Sequence, residues 1–196
     1  SGAAPGDPRG AVVWLEPLAG AGAAMPAAAV VRTDTIAMRG REYLPRVRPI
    51  AAGGAVAFPN QDPFSHNVFS NAEQGPFDLG LYRRGATRTA TFARPGVYPI
   101  YCNIHSRMVS FVVAVPGAWV AQPGADGRFL LADVPPGRYR LHAWHERAAA
   151  PLAEALDVPP AGVADVRLAL DARAYVPMPH LNKFGRPYGV ARADRY

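Results

Sequence analysis

The sequence predicts an all-β protein, and three features of it do so. Nineteen glycines and 21 prolines are spread over 196 residues, and both residue types interrupt helices. Apolar runs are strand-sized and recur at short intervals, separated by turn clusters such as Pro59-Asn60-Gln61-Asp62-Pro63 and Arg94-Pro95-Gly96. That rhythm belongs to a sandwich or barrel. In Tyr139-Arg140-Leu141-His142-Ala143-Trp144, apolar and polar side chains alternate, as a half-buried strand requires. Hydrophobic residues at 49% and charged residues at 18% allow a packed core. Glycine follows no three-residue period, which excludes collagen.

Taken in order, residues 1–9 read as a loose Gly-, Pro- and Ala-rich lead. Ala11–Leu15 is the first expected strand. Residues 19–29 (AGAGAAMPAAA) are low-complexity and read as a loop, because Gly20, Gly22 and Pro26 punctuate them. Strands are then expected at Val30–Met38, Tyr43–Ile50, Ala55–Phe58, His66–Ser70, Thr87–Phe92, Val97–Tyr101 and Val109–Val115. After Pro116-Gly117 the rhythm restarts, with strands expected at Trp119–Gln122, Arg128–Ala132, Arg138–Trp144, Leu152–Val158 and Val163–Leu170. The implied organisation is a first domain over 10–116, a second over 117–172 and a basic, aromatic tail over 173–196. The second module has about 55 residues, marginal for independent folding, so it is expected to pack on the first. The tail's aromatics are expected to dock on a domain surface.

Charge and cysteine count narrow the function classes. The formal net charge is +6, and Lys183 is the only lysine. The arginines are scattered and form no nucleic-acid stripe, and the surplus favours an acidic or anionic partner. No apolar run approaches the roughly 20 residues of a membrane-spanning helix. The start at Ser1-Gly2-Ala3 reads as a mature or trimmed form without a signal peptide. One cysteine excludes an intramolecular disulfide, a four-cysteine zinc site and a dinuclear copper centre with two bridging thiolates.

The chemistry concentrates in Cys102-Asn103-Ile104-His105-Ser106-Arg107-Met108, which spaces a thiolate, an imidazole and a thioether three residues apart. The run sits between two expected strands, so a tight loop can turn all three side chains toward one point. His66 lies 36 residues upstream at the start of another strand. Taken singly, His66 reads as a satisfied strand histidine, Met108 as a core residue and Cys102 as an inert thiol. Together, two imidazoles, one thiolate and a weak axial thioether are the donors of a blue-copper site. His142 and His145 are three apart and so point to opposite faces of a regular strand. A second metal there needs a bend after Trp144, and ordinary hydrogen-bonded histidines are the simpler reading. His180 could reach either domain.

His66-Asn67-Val68 with Cys102-x-x-His105-x-x-Met108 strongly resembles the cupredoxins, and the short ligand loop looks most like that of amicyanin. The resemblance covers roughly residues 10–116. It implies a Greek-key β-sandwich with copper at one end, held by His66, Cys102 and His105 in the plane and Met108 on the axis. Asn67 matches the family asparagine that ties the histidine strand to the cysteine loop. Ser106 and Arg107 depart from the proline and bulky apolar residues common in such loops, and Arg107 puts a cation beside the expected electron port, His105. Asp126 to Tyr139 (DGRFLLADVPPGRY) resembles the carboxypeptidase regulatory-like fold, a small transthyretin-like β-sandwich. The whole arrangement is similar to exported bacterial cupredoxin-like proteins of the methylamine-utilisation type.

These readings lead to an exported or periplasmic type 1 copper protein that carries one electron to and from a redox partner. The alternative is a copper-binding protein for sequestration or delivery, using the same four residues. An enzyme ranks third. No Ser-His-Asp spacing or paired carboxylates stand out, and copper oxidase or nitrite-reductase chemistry needs a further copper bound by several histidines.

Overall fold

The computed structural model describes residues 7–18, 33–173, 175–176 and 180–188. It forms two compact units, one containing described residues 33–114 and 180–188, the other 7–18, 115–173 and 175–176.

The first unit is a β-sandwich. One sheet has the order β5 (Val47–Ala51), β11 (Val109–Val115), β10 (Gly96–Tyr101), β7 (His66–Ser70), β8 (Phe77–Tyr82); the other has the order β2 (Thr33–Thr35), β6 (Ala55–Pro59), β9 (Thr87–Thr91). A hairpin of β3 (Ala37–Arg39) and β4 (Glu42–Leu44) accompanies them. Val68, Ile100 and Val112 from the first sheet meet Val56, Phe58 and Phe92 in one core. Each such side chain contributes roughly 1.5–3 kcal/mol by leaving water. Tyr82 Oη donates to the Phe58 carbonyl at 2.8 Å, satisfying its hydroxyl inside that core.

Register places the loop of interest. β10 and β11 pair antiparallel from Gly96↔Ala114 to Tyr101↔Val109, so residues 102–108 close the end of a regular ladder. Tyr101 also pairs with Phe69 of β7, which brings the strand carrying His66 alongside. β7 is buried along its whole length.

The second unit has a four-stranded sheet, β12 (Val120–Ala121), β1 (Ala11–Pro17), β13 (Gly137–His145), β14 (Leu152–Val158). Val13, Leu15, Tyr139 and Leu141 form its core with Trp119. Both units use one local device. In Arg94-Pro95-Gly96-Val97-Tyr98 and Pro135-Pro136-Gly137-Arg138-Tyr139, the tyrosine hydroxyl donates at 2.8 Å to the carbonyl four residues upstream. This tyrosine-corner arrangement pins the start of β10 and of β13.

Several expectations need correction. β1 lies within the span 10–116 yet pairs with β13, from Ala11↔His145 to Pro17↔Tyr139. Residues 30–38 do not form one strand: 30–32 fall outside the described residues, and Ile36 separates β2 from β3. Tyr43–Ile50 breaks at Pro45-Arg46, where proline has no N–H to give a ladder. β8 was not anticipated; Gly80 sits within it at φ 71°. Arg128–Ala132 and Val163–Leu170 form no ladder. Phe129, Leu131, Val166, Leu168 and Leu170 still pack against the second core, so the alternation marked burial without strand pairing. Among the described residues, no helix is long and apolar enough to cross a membrane.

Candidate metal centre

Cys102 follows β10 directly, and its loop is closed by its own backbone. The Cys102 N–H donates to the Met108 carbonyl at 3.4 Å, and the Met108 N–H to the His105 carbonyl at 3.1 Å. Cys102 and Met108 are buried in the first core. Burial pushes the Cys102 thiol above its ordinary value, while backbone N–H groups of Ile104, Asn67 and His105 pull the other way. Those N–H groups aim at the position a thiolate occupies, and a bound cation would favour the deprotonated sulfur further.

His66 is positioned by a turn that satisfies itself. Asn60 Nδ2 donates to the carbonyls of Phe64 and Tyr82 at 2.8 and 3.1 Å, and its Oδ1 accepts from the Asp62 N–H at 2.9 Å. Asp62 in turn accepts from the Gly40 N–H at 2.6 Å and the Arg41 N–H at 2.9 Å. Its Oδ2 lies 2.7 Å from His66 Nε2. The carboxylate holds the imidazole proton on Nε2 and leaves the Nδ1 lone pair free to bind a metal. Burial lowers the His66 pKa below its ordinary value, with the Asp62 carboxylate opposing, so the ring is neutral at pH 7.

His66 Nδ1, His105 Nδ1 and Cys102 Sγ converge. The two nitrogens are 3.2 Å apart, and the sulfur lies 3.6 Å from His105 Nδ1 and 4.0 Å from His66 Nδ1. The point equidistant from all three lies about 2.1 Å from each, within the range of metal–nitrogen and metal–thiolate bonds. Among the described residues, no other group of three His, Cys, Asp or Glu donors gathers this way.

No protein-family model matches the chain. Two curated relatives do, the plastocyanins of Ulva arasakii and Ulva pertusa. Each is 30% identical over 73 residues, which is 33% of this chain and 74% of the relative. The chain belongs to the plastocyanin family of cupredoxins. Solved structures similar to it include amicyanin from Paracoccus versutus (22% identity, TM-score 0.40, 42% of this chain and 81% of that one). A purple cupredoxin from Nitrosopumilus maritimus has 23% identity and a TM-score of 0.39, over 42% of this chain and 99% of that one. A copper-containing nitrite reductase from Thermus scotoductus has 29% identity and a TM-score of 0.41, over 53% of this chain and 26% of that one.

The cofactor of this cupredoxin is copper, and the donors suit it: a soft thiolate with two imidazoles in a buried triangle. Asn67 accepts from the Asn103 N–H at 3.3 Å, linking the β7 strand to the ligand loop, and its Nδ2 donates to Asp78 at 2.7 Å. Phe64 lies against both ligand histidines, its ring centroid 5.2 Å from that of His66 and 5.8 Å from that of His105.

The remaining histidines stay apart. His142 stacks on Trp14 at 4.8 Å, with Nε2 3.3 Å from Glu16. His145, on the other face of β13, accepts from the Arg147 N–H at 3.1 Å. His180 lies in the first unit, stacked on Tyr101. Two sets of residues at the site escaped the sequence reading. Asp62 reads as a turn residue, and nothing in the local pattern marks its reach to His66 Nε2. The contacts of His180, Lys183 and Tyr188 with the ligand loop left no local trace.

Proposed function

We propose that the protein is a one-electron carrier with one type 1 copper per chain. The observation that carries this reading is the triangle of His66 Nδ1, His105 Nδ1 and Cys102 Sγ. These residues would hold the metal, with the Met108 thioether as a weaker fourth donor. Copper held there would supply a reversible one-electron exchange between Cu(II) and Cu(I). The chain's part is to keep the donors still. Asp62 fixes the His66 tautomer, Asn67 ties the histidine strand to the cysteine loop, and the buried Phe58–Ile100 core backs them. A donor set that moves little between oxidation states keeps the barrier to electron transfer low.

His105 serves as the electron port. It is 8% exposed, against 0% for His66 and Cys102. Phe64 flanks it, the Arg41 guanidinium lies 5.2 Å from the Phe64 centroid, and Arg107 is exposed on the ligand loop. That cationic rim suits a redox partner with an acidic docking surface. The protein acts as a carrier rather than an enzyme, in an exported, periplasmic setting. The second unit is a carboxypeptidase regulatory-like module with a role in recruiting the partner. Its sheet and the apolar segments around Phe129 and Leu168 support that assignment.

Voltammetry of the copper-loaded protein, run beside a copper-transfer assay to a chelating acceptor, tests the reading. A reversible one-electron wave with copper retained supports a carrier of electrons. Rapid loss of copper to the acceptor supports sequestration or delivery, the reading that a buried donor set disfavours.

A further inference from the structure

The segment His180–Tyr188 touches Tyr101 at the end of β10 and Cys102, Asn103 and Ser106 of the ligand loop. Tyr188 Oη donates to the Cys102 carbonyl at 2.5 Å. The His180 ring stacks on Tyr101 at 4.2 Å with 17° between planes, and its imidazole meets the Ser106 backbone. The Lys183 N–H donates to Asn103 Oδ1 at 3.0 Å, and Lys183 Nζ lies 2.6 Å from Asp78 Oδ2. Asp78 Oδ1 accepts from Asn67, and Asn67 Oδ1 accepts from the Asn103 N–H. These bonds close a ring, Lys183–Asp78–Asn67–Asn103, in which Asn67 and Asn103 each adjoin a copper-binding residue of the proposed site, His66 and Cys102.

The segment is itself ordered by local bonds. Asn182 Oδ1 accepts from the N–H groups of Phe184 and Arg186 at 2.9 and 3.1 Å, and the Asn182 N–H donates to the Arg186 carbonyl at 2.9 Å. A formed turn therefore presents Lys183 to the ring and Tyr188 to the Cys102 carbonyl. Tyr188 and His180 also contact each other, with Tyr188 Oη 3.3 Å from His180 Nδ1.

We propose that Tyr188 and Lys183 are positioning residues of the copper centre, clamping the Cys102 end of the ligand loop from outside the sandwich. The proposal rests on the copper reading above. The segment contacts Tyr101, the Cys102 carbonyl and the Asn103 side chain, so it bears on the backbone on both sides of the thiolate. The clamp thereby fixes the sulfur's direction toward the two imidazoles, on which the copper–thiolate overlap depends.

The test uses the full chain and three variants: Tyr188→Phe, Lys183→Met and Lys183→Arg. In the metal-free protein, amide hydrogen exchange of the 102–108 segment is expected to rise on the order of tenfold in the first two, the effect of losing one hydrogen bond. Lys183→Arg keeps the charge and restores protection, and exchange in β13 and β14 stays unchanged. In the copper-loaded protein, the sulfur-to-copper charge-transfer band and the reduction potential shift in the first two variants and return in the third. Unchanged loop exchange overturns the proposal. So does faster exchange with band and potential unmoved, which reduces the segment to a docked terminus. A wild type that lacks an intense band while its loop exchange responds keeps the clamp and sinks the copper reading.

Discussion

Asp62 Oδ2 sits 2.7 Å from His66 Nε2, and the same carboxylate accepts the N–H groups of Gly40 and Arg41. Every group it faces is an N–H donor, so an amide in its place turns an NH2 toward one of them. Asp62→Asn is expected to cost the metal-free fold about 1–3 kcal/mol by leaving a buried donor unpaired. It should also weaken copper binding roughly 10- to 100-fold, the usual effect of disturbing a ligand's hydrogen-bond partner. Thermal melts of the metal-free protein and a competition titration with a copper chelator check both parts. Wild-type affinity in this variant contradicts the role given to Asp62.

Cys102→Ser removes the only thiolate from the triangle while leaving both imidazoles in place. The intense sulfur-to-copper band should vanish, and the loss of affinity should exceed the roughly 10- to 100-fold typical of outer partners. An unchanged optical spectrum contradicts the assignment of Cys102 as a ligand.

Tyr43, on β4, bridges the two strands behind the site. Its single hydroxyl proton is shared between the Asn67 carbonyl at 2.8 Å and the Tyr101 carbonyl at 3.0 Å. Burial holds its pKa well above the ordinary value, so it remains a donor throughout the working range. Tyr43→Phe is expected to destabilise the metal-free protein by about 1–2 kcal/mol, read as a lower melting temperature. A melting temperature equal to that of the wild type overturns this.

Asp78 gives the clamp its pH dependence. Burial raises its pKa, but bonds from Lys183, Asn67 and Gly80 outweigh that and hold it below the ordinary 3.8. Its contribution to stability is therefore complete above 3.8 and fades as pH falls through the lower folded value. A carboxyl NMR titration should place the Asp78 midpoint below 3.8 in the wild type and higher in Lys183→Met, where burial is less opposed. A wild-type midpoint at or above 3.8 contradicts the bonding around Asp78.

What the sequence could reveal follows from the range of each interaction. Cys102, His105 and Met108 share a seven-residue loop, so their convergence is local and their spacing exposes it. Asp62 is legible only to someone who knows that Gly40 and Arg41, 22 and 21 residues away, point their N–H groups at it. β1 looks like any first strand, and its pairing with β13, more than 120 residues on, is set by the second core. β8 was missed although Phe77, Leu79 and Leu81 alternate with Asp78 and Gly80, because a glycine inside a strand weakens its signal. Around Phe129 and Leu168 the reverse held, where alternating burial arose without ladder bonds. The tail carries aromatic and basic residues with no period, so nothing in its pattern pointed to Tyr188 reaching Cys102.

The central claim is a copper bound by Cys102 sulfur between His66 and His105, and one pair of spectra tests it most directly. Optical absorption and EPR would be recorded on the full chain after loading with Cu(II) and removing excess metal. The account predicts an intense sulfur-to-copper charge-transfer band and narrow copper hyperfine splitting at one copper per chain. A pale solution with wide splitting, or less than stoichiometric copper, would contradict it.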